Sequence, residues 1–378
     1  MTRFYFSVLI LLISVSLIAG CLQEEAVKPS GKTIKVGIIG PLASPAGDKG
    51  LKGIKTAQII EPYTKDGDKI ELFVFNDKLI PAETTKLYKE LAKNEEFKSV
   101  IILSPSKELI PVSYIADMCK LPVIGTIATH PDITKNNKYV SRVCFSDDRQ
   151  GKVAAIYARD ELLIDRAAIL YDNQDAYSTN LKDIFRTSFR AIGGDVVAAL
   201  PLQEFSQDLM VYLNELKDMD VQLLYMVVNA TVIIEILKAL EQIDWQVKKM
   251  GADGVLAVVS FRLRENLDLL DGFIATDHIS TQRYLTELGE KGLETYLEHF
   301  ETPDSYTALG FEAYFLLKHA LDPCRPKYSR ECIAKKIRNV KTFTGVQGKF
   351  PIIAGDSLRP VMINEIEDAR LKLIVKVY

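Results

Sequence analysis

Short apolar runs alternate with longer stretches of helical periodicity along most of this chain. Between Thr33 and Thr134 the pattern predicts strand, helix, strand, helix, strand, helix and strand, and the alternation restarts after Val140 and continues to Gly251. Alternation of this kind is typical of parallel sheets with helices on both faces. We therefore expect an α/β protein of two Rossmann-like lobes with parallel central sheets. No Pro- or Ser-rich linker separates the lobes, so we expect the chain to cross between them more than once.

The stretch from Val100 to Thr134 predicts where a ligand binds. It contains two apolar, strand-like runs, each followed by a turn rich in hydroxyl groups. The first turn contains Ser104 and Ser106, and the second contains Thr126 and Thr129. Ligands of open α/β sheets bind at the carboxyl ends of strands, where helix N-termini offer N–H groups to anions. The pattern therefore predicts that the two turns bind a carboxylate; the alternative is that the hydroxyls only cap helices.

The charge balance and the reactive side chains reduce the number of functions that the sequence supports. The 378 residues include 47 basic and 50 acidic side chains, and this net charge of −3 gives no indication of nucleic acid as a partner. The four histidines have no metal-ligand or catalytic-triad spacing, and no Gly-x-Ser-x-Gly motif occurs. We therefore expect a protein that is not an enzyme and that has no metal or cofactor.

The N-terminus has the features of an export signal. Arg3 precedes the apolar run Phe4–Ile18, which is short for a membrane span. The run leads into Leu-Ile-Ala-Gly-Cys, residues 17–21, which resembles the bacterial lipobox, in which the cysteine takes a diacylglyceryl group. We expect a lipoprotein signal peptide at 1–20, lipidation of Cys21, a tether at 21–32 and a location in the cell envelope. The alternatives are an anchor helix and an ordinary secretory signal.

Export to an oxidising compartment also changes the interpretation of the cysteines. Besides Cys21 the chain has Cys119, Cys144, Cys324 and Cys332, an even number. Cys324 and Cys332 flank a polar, Pro-containing loop and are plausible partners. Four cysteines allow three pairings, and buried free thiols are the alternative.

Several segments, read in order, resemble one family. The type I periplasmic solute-binding proteins of branched-chain amino acid ABC transport have segments similar to VGIIGPLASPAGDKGLKG, PVIGTIATHPDIT, FSDDRQGKVAAIYA, AILYDNQDAYSTNL, RAIGGDVV, MGADGV and TPDSYTALGFEAYFLLKHAL. The resemblance runs from about Thr33 to the C-terminus. It implies two lobes that close on a ligand and are joined by several hinge crossovers. The corresponding boundaries are 33–146 with 280–348 for the first lobe and 147–279 with 349–378 for the second.

The resemblance also implies binding roles for particular residues. Ser106, Thr129 and the backbone at Ala128 would bind the α-carboxylate of the ligand from the first lobe. Tyr177 and Asp253 would close on the ligand from the second lobe, with Asp253 facing the α-ammonium group. The alternatives are a packing role for Tyr177 and a turn-forming role for Asp253.

The sequence departs from the family pattern at three places that bear on the ligand, one of which is Pro45-Ala46, where the family sometimes has an aromatic contact to the ligand. The family often has Gly-Pro-x-x-Ser in the turn that here begins with Ser104, and in that register Glu108 replaces the serine. Counting back from Thr129 favours Ser106 as the match instead. In addition, Val228-Asn229-Ala230 follows the strand where the family often has two aromatic residues.

The residues and the resemblance together predict a lipid-anchored solute-binding protein that delivers a small polar ligand, an amino acid, to an ABC permease. Its expected partners are this ligand, the permease and, through the lipid, the membrane; nucleic acid is not among them. A rival hypothesis is an envelope lipoprotein of the same fold that regulates a cell-wall synthase without a small ligand. An intact polar cleft favours transport, whereas a cleft filled by side chains favours the rival.

The anchoring hypothesis predicts the behaviour of Cys21→Ser. Acylation requires the thiol, so the variant should be soluble or unprocessed. Fractionation of cells that express the two forms measures this directly. Full processing and unchanged membrane association of the variant would contradict the lipobox interpretation.

Overall fold

The strands of the computed structural model form two large sheets and one small one. The structure describes residues 31–202, 208–255, 267–280, 286–368 and 370–378. The strands are β1 (Thr33–Gly40), β2 (Lys69–Asn76), β3 (Phe97–Ile102), β4 (Val123–Gly125), β5 (Val140–Arg142), β6 (Arg166–Tyr171), β7 (Asp195–Pro201), β8 (Leu223–Val227), β9 (Lys248–Gly251), β10 (Phe273–Asp277), β11 (Val340–Gly345), β12 (Gly348–Ile353), β13 (Asp356–Ser357), β14 (Val361–Glu367) and β15 (Arg370–Val377).

The pairing of these strands defines two lobes. The first sheet has the order β2-β1-β3-β4-β5, and all of its strands are parallel. The second has the order β15-β14-β10-β9-β8-β6-β7, in which β14 and β15 are antiparallel additions to a parallel sheet. Strands β11, β12 and β13 form a small antiparallel sheet. The predicted α/β fold with two parallel-sheet lobes is therefore confirmed.

Helices lie between the strands in the order that the sequence pattern predicts. The α-helices are α1 (Pro45–Ile60), α2 (Pro81–Lys93), α3 (Ser106–Cys119), α4 (Asp147–Ile156), α5 (Ala176–Ala191), α6 (Leu209–Asp218), α7 (Ala230–Gln242), α8 (Glu287–His299), α9 (Ser305–Leu321) and α10 (Arg330–Arg338). Helix α4 continues as a π-helical turn, Tyr157–Glu161, and short 3₁₀ turns occur at Pro131–Ile133, Leu267–Leu270 and Asp322–Cys324.

Each large sheet is apolar on both faces because helices cover both. In β1, Ile38 packs with the cluster under α1 and α9, whereas the next residue, Ile39, packs with the cluster under α2 and α3. The second sheet repeats this arrangement, with Leu170 on one face and Ile169 on the other. Strand side chains alternate between faces, so a run without polar residues is what a sheet covered on both sides requires.

Glycines let α1 and α9 approach each other closely. A Cβ atom on Gly53 would lie 2.0 Å from the Thr307 carbonyl oxygen, and one on Gly310 would lie 2.1 Å from the Gly50 carbonyl oxygen. Only glycine fits such backbone contact. This contact holds α9, which lies between β10 and β14 of the second sheet in the chain, against the first lobe.

Cys324 and Cys332 form a disulfide, and Cys119 and Cys144 are free thiols. Residues 1–20 and Cys21 lie outside the described residues. The lobe boundaries stay a prediction. The predicted boundary after residue 348 separates β11 from nearly all of β12, yet these two strands pair with each other. Among the described residues we find no helix long and apolar enough to cross a membrane.

A buried ion pair lies where the chain crosses between the lobes. The Arg359 guanidinium donates to Glu312 Oε2 at 2.6 Å, and both side chains are 1% exposed. Arg359 also donates to the carbonyl oxygens of Val143 and His278, at 3.2 and 2.8 Å. Val143 follows β5, His278 follows β10, and Arg359 itself precedes β14. One side chain therefore links three crossings between the lobes.

We predict that Arg359→Met destabilises the protein by about 3–5 kcal/mol, because it leaves the Glu312 carboxylate buried without its partner. Urea unfolding of both forms measures the change. Lys372→Ala is the control, because its ion pair with Glu367 is exposed on both sides and should contribute at most about 1 kcal/mol. Equal unfolding midpoints for wild type and Arg359→Met would contradict the predicted role of the pair.

Candidate functional site

The two hydroxyl-rich turns are adjacent at the carboxyl edge of the first sheet. Ser106 is the first residue of α3 and is 1% exposed. Its Oγ accepts a hydrogen bond from the backbone N–H of His130 at 3.2 Å. Because β3 and β4 are neighbours in the sheet, the turns that follow them meet, as the sequence predicts. The structure therefore brings Ser106 next to Thr129.

The second turn is tied to the segment that leads into the second lobe. The Ala128 carbonyl oxygen accepts from Arg142 Nη1 at 3.1 Å, and the Thr129 carbonyl oxygen accepts from the backbone N–H of Asp147 at 3.0 Å. Ala128 and Thr129 are both buried. The Thr129 hydroxyl is buried and has no hydrogen-bond partner among the described residues. The carbonyl oxygens of this turn are thus already bound within the protein, and the Thr129 hydroxyl is left for a ligand.

Asp253 lies opposite these turns and is held by three side chains. It follows β9 in a turn whose next residue, Gly254, has a φ of +71°, which favours glycine. Asp253 Oδ1 accepts from Tyr177 Oη and Gln150 Nε2, each at 2.8 Å, and Oδ2 lies 3.2 Å from His278 Nε2. The structure therefore joins Tyr177 and Asp253, the two residues expected from the second lobe.

Gln150 is the centre of this network. Its Oε1 accepts from the backbone N–H of Asp253 at 2.8 Å and from Thr276 Oγ1 at 2.7 Å. Its Nε2 also donates to Asp147 Oδ1 at 3.2 Å. Gln150 and Asp147 lie in the segment FSDDRQGKVAAIYA, whose resemblance to the family implied no role for either residue in the site. A polar residue in the first turn of a helix after a predicted strand is the signal that could have identified them.

The two aspartates differ in charge state. Burial opposes ionisation of Asp253, but the hydrogen bonds from His278, Tyr177 and Gln150 outweigh it and hold the pKa of this carboxyl below its usual range. Burial, with the negative charge of Asp253 added, raises the pKa of Asp147 to about 8. Asp147 Oδ2 has no hydrogen-bond partner among the described residues. At neutral pH, Asp253 is therefore ionised and Asp147 carries a proton.

Aromatic groups enclose the pair. His278 packs against Phe145 with ring centroids 3.8 Å apart, and burial lowers the pKa of its imidazole. We therefore assign a neutral ring that donates from Nε2 to Asp253. The Tyr225 hydroxyl is buried without a hydrogen-bond partner in the described part of the chain, and burial raises its pKa well above the usual range. The site thus contains buried polar atoms without hydrogen-bond partners, the Tyr225 hydroxyl and Asp147 Oδ2, as well as the apolar ring of Phe145.

Both lobes contribute to this site and are in contact around it. Helix α3 of the first lobe contacts α5 of the second. The Tyr306 hydroxyl of α9 donates to the Gly254 carbonyl oxygen at 3.4 Å. No group of three or more His, Cys, Asp and Glu side chains with metal-site geometry occurs in the described residues.

Comparison with known proteins gives one consistent result. A family model described as periplasmic binding protein matches residues 33–360. An amino acid binding protein of Pseudomonas aeruginosa is 27% identical over 129 residues, and the match spans 34% of this chain and 34% of that protein. The chain thus spans about a third of that relative.

Solved structures give the same fold over nearly the whole chain. A leucine binding protein from Thermotoga maritima has a TM-score of 0.84 and 24% identity, and the match covers 91% of this chain and 98% of that one. A solute binding protein of an ABC transporter from R. palustris, in complex with 4-hydroxybenzoate, has a TM-score of 0.81 and 20% identity over 91% and 97% of the two chains.

The raised pKa of Asp147 predicts a pH dependence of stability. Its folded pKa of about 8 exceeds the ordinary value of 3.8, so the native state binds more protons than the unfolded state between these values. Stability should therefore fall as the pH rises from about 5 to 8. Asp147→Asn removes this contribution. Its stability relative to wild type should rise by more than about 1.4 kcal/mol over that range, the equivalent of one pKa unit.

Denaturant unfolding at several pH values, without ligand, measures this difference. Asp148→Asn is the control, because Asp148 is the next residue of α4 and is exposed. Its stability curve should run parallel to that of the wild type. A parallel curve for Asp147→Asn as well would show that Asp147 is ionised in the folded protein.

Proposed function

The chain belongs to the periplasmic binding protein family, and from this premise we propose that it captures an amino acid outside the cytoplasm for an ABC permease. Membership makes it a solute-binding protein of the ABC transporter type, with an extracytoplasmic location. The amino acid, the permease and the lipid anchor at Cys21 are parts of the proposal. The family consists of binding proteins and not of enzymes, so closure of the lobes on a ligand is the proposed action.

One observation supports an amino acid above other ligands. Donors for a carboxylate, at Ser106 and Thr129, lie on the first lobe, and an ionised carboxylate, Asp253, lies on the second. A zwitterion with its carboxylate and ammonium on one carbon matches both sides at once. In this proposal the ligand completes the contact between the lobes, so that binding and closure are coupled.

A carboxylic acid without an amine is the second candidate, and one feature of the site favours it. Asp253 already accepts hydrogen bonds from Tyr177, Gln150 and His278, so its carboxylate does not require a further donor from the ligand. The 4-hydroxybenzoate complex shows that a protein of this fold binds such an acid. The two candidates differ in whether the amine of the ligand contributes to affinity.

We predict that Asp253→Asn weakens binding of an amino acid by about 2–5 kcal/mol, because the variant leaves the ammonium group without its counter-charge. The ligands are the tightest-binding amino acid from a thermal-shift screen and its analogue that lacks the α-amine. Titration calorimetry of both ligands with both proteins gives a double-mutant cycle. Asp271→Asn is the control, since Asp271 also precedes a glycine of positive φ but lies at the opposite edge of the second sheet.

The cycle separates the two candidates. A coupling energy between the amine and Asp253 supports the amino acid. Additive effects, with similar affinity for the analogue, would show that Asp253 does not bind an ammonium group and would favour the simple carboxylic acid. Failure of every amino acid and carboxylic acid to bind a folded protein would favour the rival interaction protein.

A further inference from the structure

Glu108 is a buried acid with an unused hydrogen-bonding atom. It is the third residue of α3, in the first turn of that helix, and it is 3% exposed. Its Oε2 has no hydrogen-bond partner among the described residues. Leaving a polar atom of this kind without a partner costs free energy, and a charged one costs more. Glu108 is therefore unlike an ordinary surface glutamate at a helix N-terminus.

The surroundings of Glu108 are acidic and come from both lobes. The negative charges of Asp77, at the end of β2, and of Asp175, just before α5, act on its carboxyl, and the exposed Lys107 is its cationic neighbour. Burial, with the charge of Asp77 added, raises the pKa of Glu108 to about 7. These groups form a region of negative potential between the lobes. A cation placed there would restore the ordinary ionisation of Glu108.

The neighbouring acids already have partners, which singles out Glu108. Asp77 accepts from the hydroxyls of Ser104 and Thr84 and from the backbone N–H of Leu79. Asp175 caps α5 by accepting from the backbone N–H of Tyr177. Within the described residues, Glu108 is thus the member of this acidic region whose carboxylate oxygen is available to a ligand.

The sheet order places Asp77, the acid whose charge acts on Glu108, away from the site for the ligand's head group. Strands β4 and β5, which lead to Thr129 and Asp147, lie on one side of β3, whereas β1 and β2, which lead to Asp77, lie on the other. Neighbouring strands are about 4.8 Å apart, so the ends of β4 and β1 are separated by about 10 Å. The side chain of an extended amino acid spans a distance of this order.

From these contacts we propose that Glu108 binds a positively charged group at the end of the ligand's side chain, so that the ligand is a basic amino acid. The inference rests on the proposed function, since it takes the α-carboxylate to bind at Ser106 and Thr129. It assigns the ligand two cationic groups, one facing Asp253 and one facing Glu108. An aliphatic side chain would leave Glu108 buried without a partner.

The test compares L-lysine with L-norleucine, which has a similar shape but lacks the terminal ammonium group. Titration calorimetry should show that the wild type binds lysine more tightly than norleucine. Glu108→Gln should weaken lysine binding by about 10- to 100-fold, as expected for the loss of a hydrogen bond to a charged group, and should change norleucine binding little. Because burial raises the pKa of Glu108 to about 7, an uncharged amide suits its surroundings and the variant should fold, which its thermal unfolding verifies.

Glu83→Gln is the matched control. Glu83 is also the third residue of its helix, α2, but it pairs with Lys86 on the surface. It should leave the binding of both ligands unchanged, which separates a ligand contact from a general effect of acids at helix N-termini.

The outcomes separate the two proposals. Equal affinities of the wild type for lysine and norleucine, unchanged by Glu108→Gln, would overturn the role of Glu108 and leave an amino acid binding protein. Tight binding of leucine with no measurable binding of lysine would do the same. Failure of all three amino acids to bind a folded wild type would overturn the inference, and the proposed function is overturned only if every amino acid of the thermal-shift screen fails as well.

Discussion

The ion pair between Arg359 and Glu312 is the contact on which the arrangement of the lobes depends. A buried ion pair adds little net stability, because desolvation offsets most of the Coulomb attraction. Its value here is geometric: the guanidinium binds Val143 and His278 as well as Glu312, so it fixes where three crossings leave the lobes. His278 is one of the residues that hold Asp253, and Val143 lies just before the turn that contains Asp147. The site is therefore oriented by the same side chain that joins the lobes.

Most of the fold follows from local patterns that the sequence shows directly. Strands such as β8, buried at every residue, have no polar positions to obscure their apolar run. Helix starts are less predictable: three glycines between residues 47 and 53 are typical of a loop, whereas α1 begins at Pro45 with Ser44 as its cap. A cap and a proline at the first helical position outweigh three glycines, two of which, Gly47 and Gly53, lie too close to neighbouring backbone for a Cβ atom. Strand β11 has no apolar run that would predict it, because two consecutive residues, Lys341 and Thr342, are exposed, and its partner, β12, follows a tight turn.

The candidate site, like the fold, could be predicted from the sequence only in part. Ser106 and Thr129 could be paired from the sequence because they follow strands expected to be neighbours. Gln150 and His278 could not, because they lie on separate elements and meet at Asp253 only when the second lobe folds and the crossings are in place. The sequence shows which residue types end each strand but not which of them share a proton or a hydrogen bond. Contacts such as Gln150 with Thr276, separated by 126 positions, depend on the tertiary structure alone.

The site's unusual property is that its negative charge exceeds what its own donors can stabilise. Gln150 bridges Asp147 and Asp253 through one amide group, and Asp253 takes the larger share of donors. Two carboxylates this close, in a buried site, do not both ionise unless a cation is added. If the ligand is an amino acid, its ammonium group provides that cation, and Asp147 can then release its proton. The cost of keeping these acids buried in the empty protein is then part of what makes an ammonium ligand bind in preference to a neutral one of the same shape.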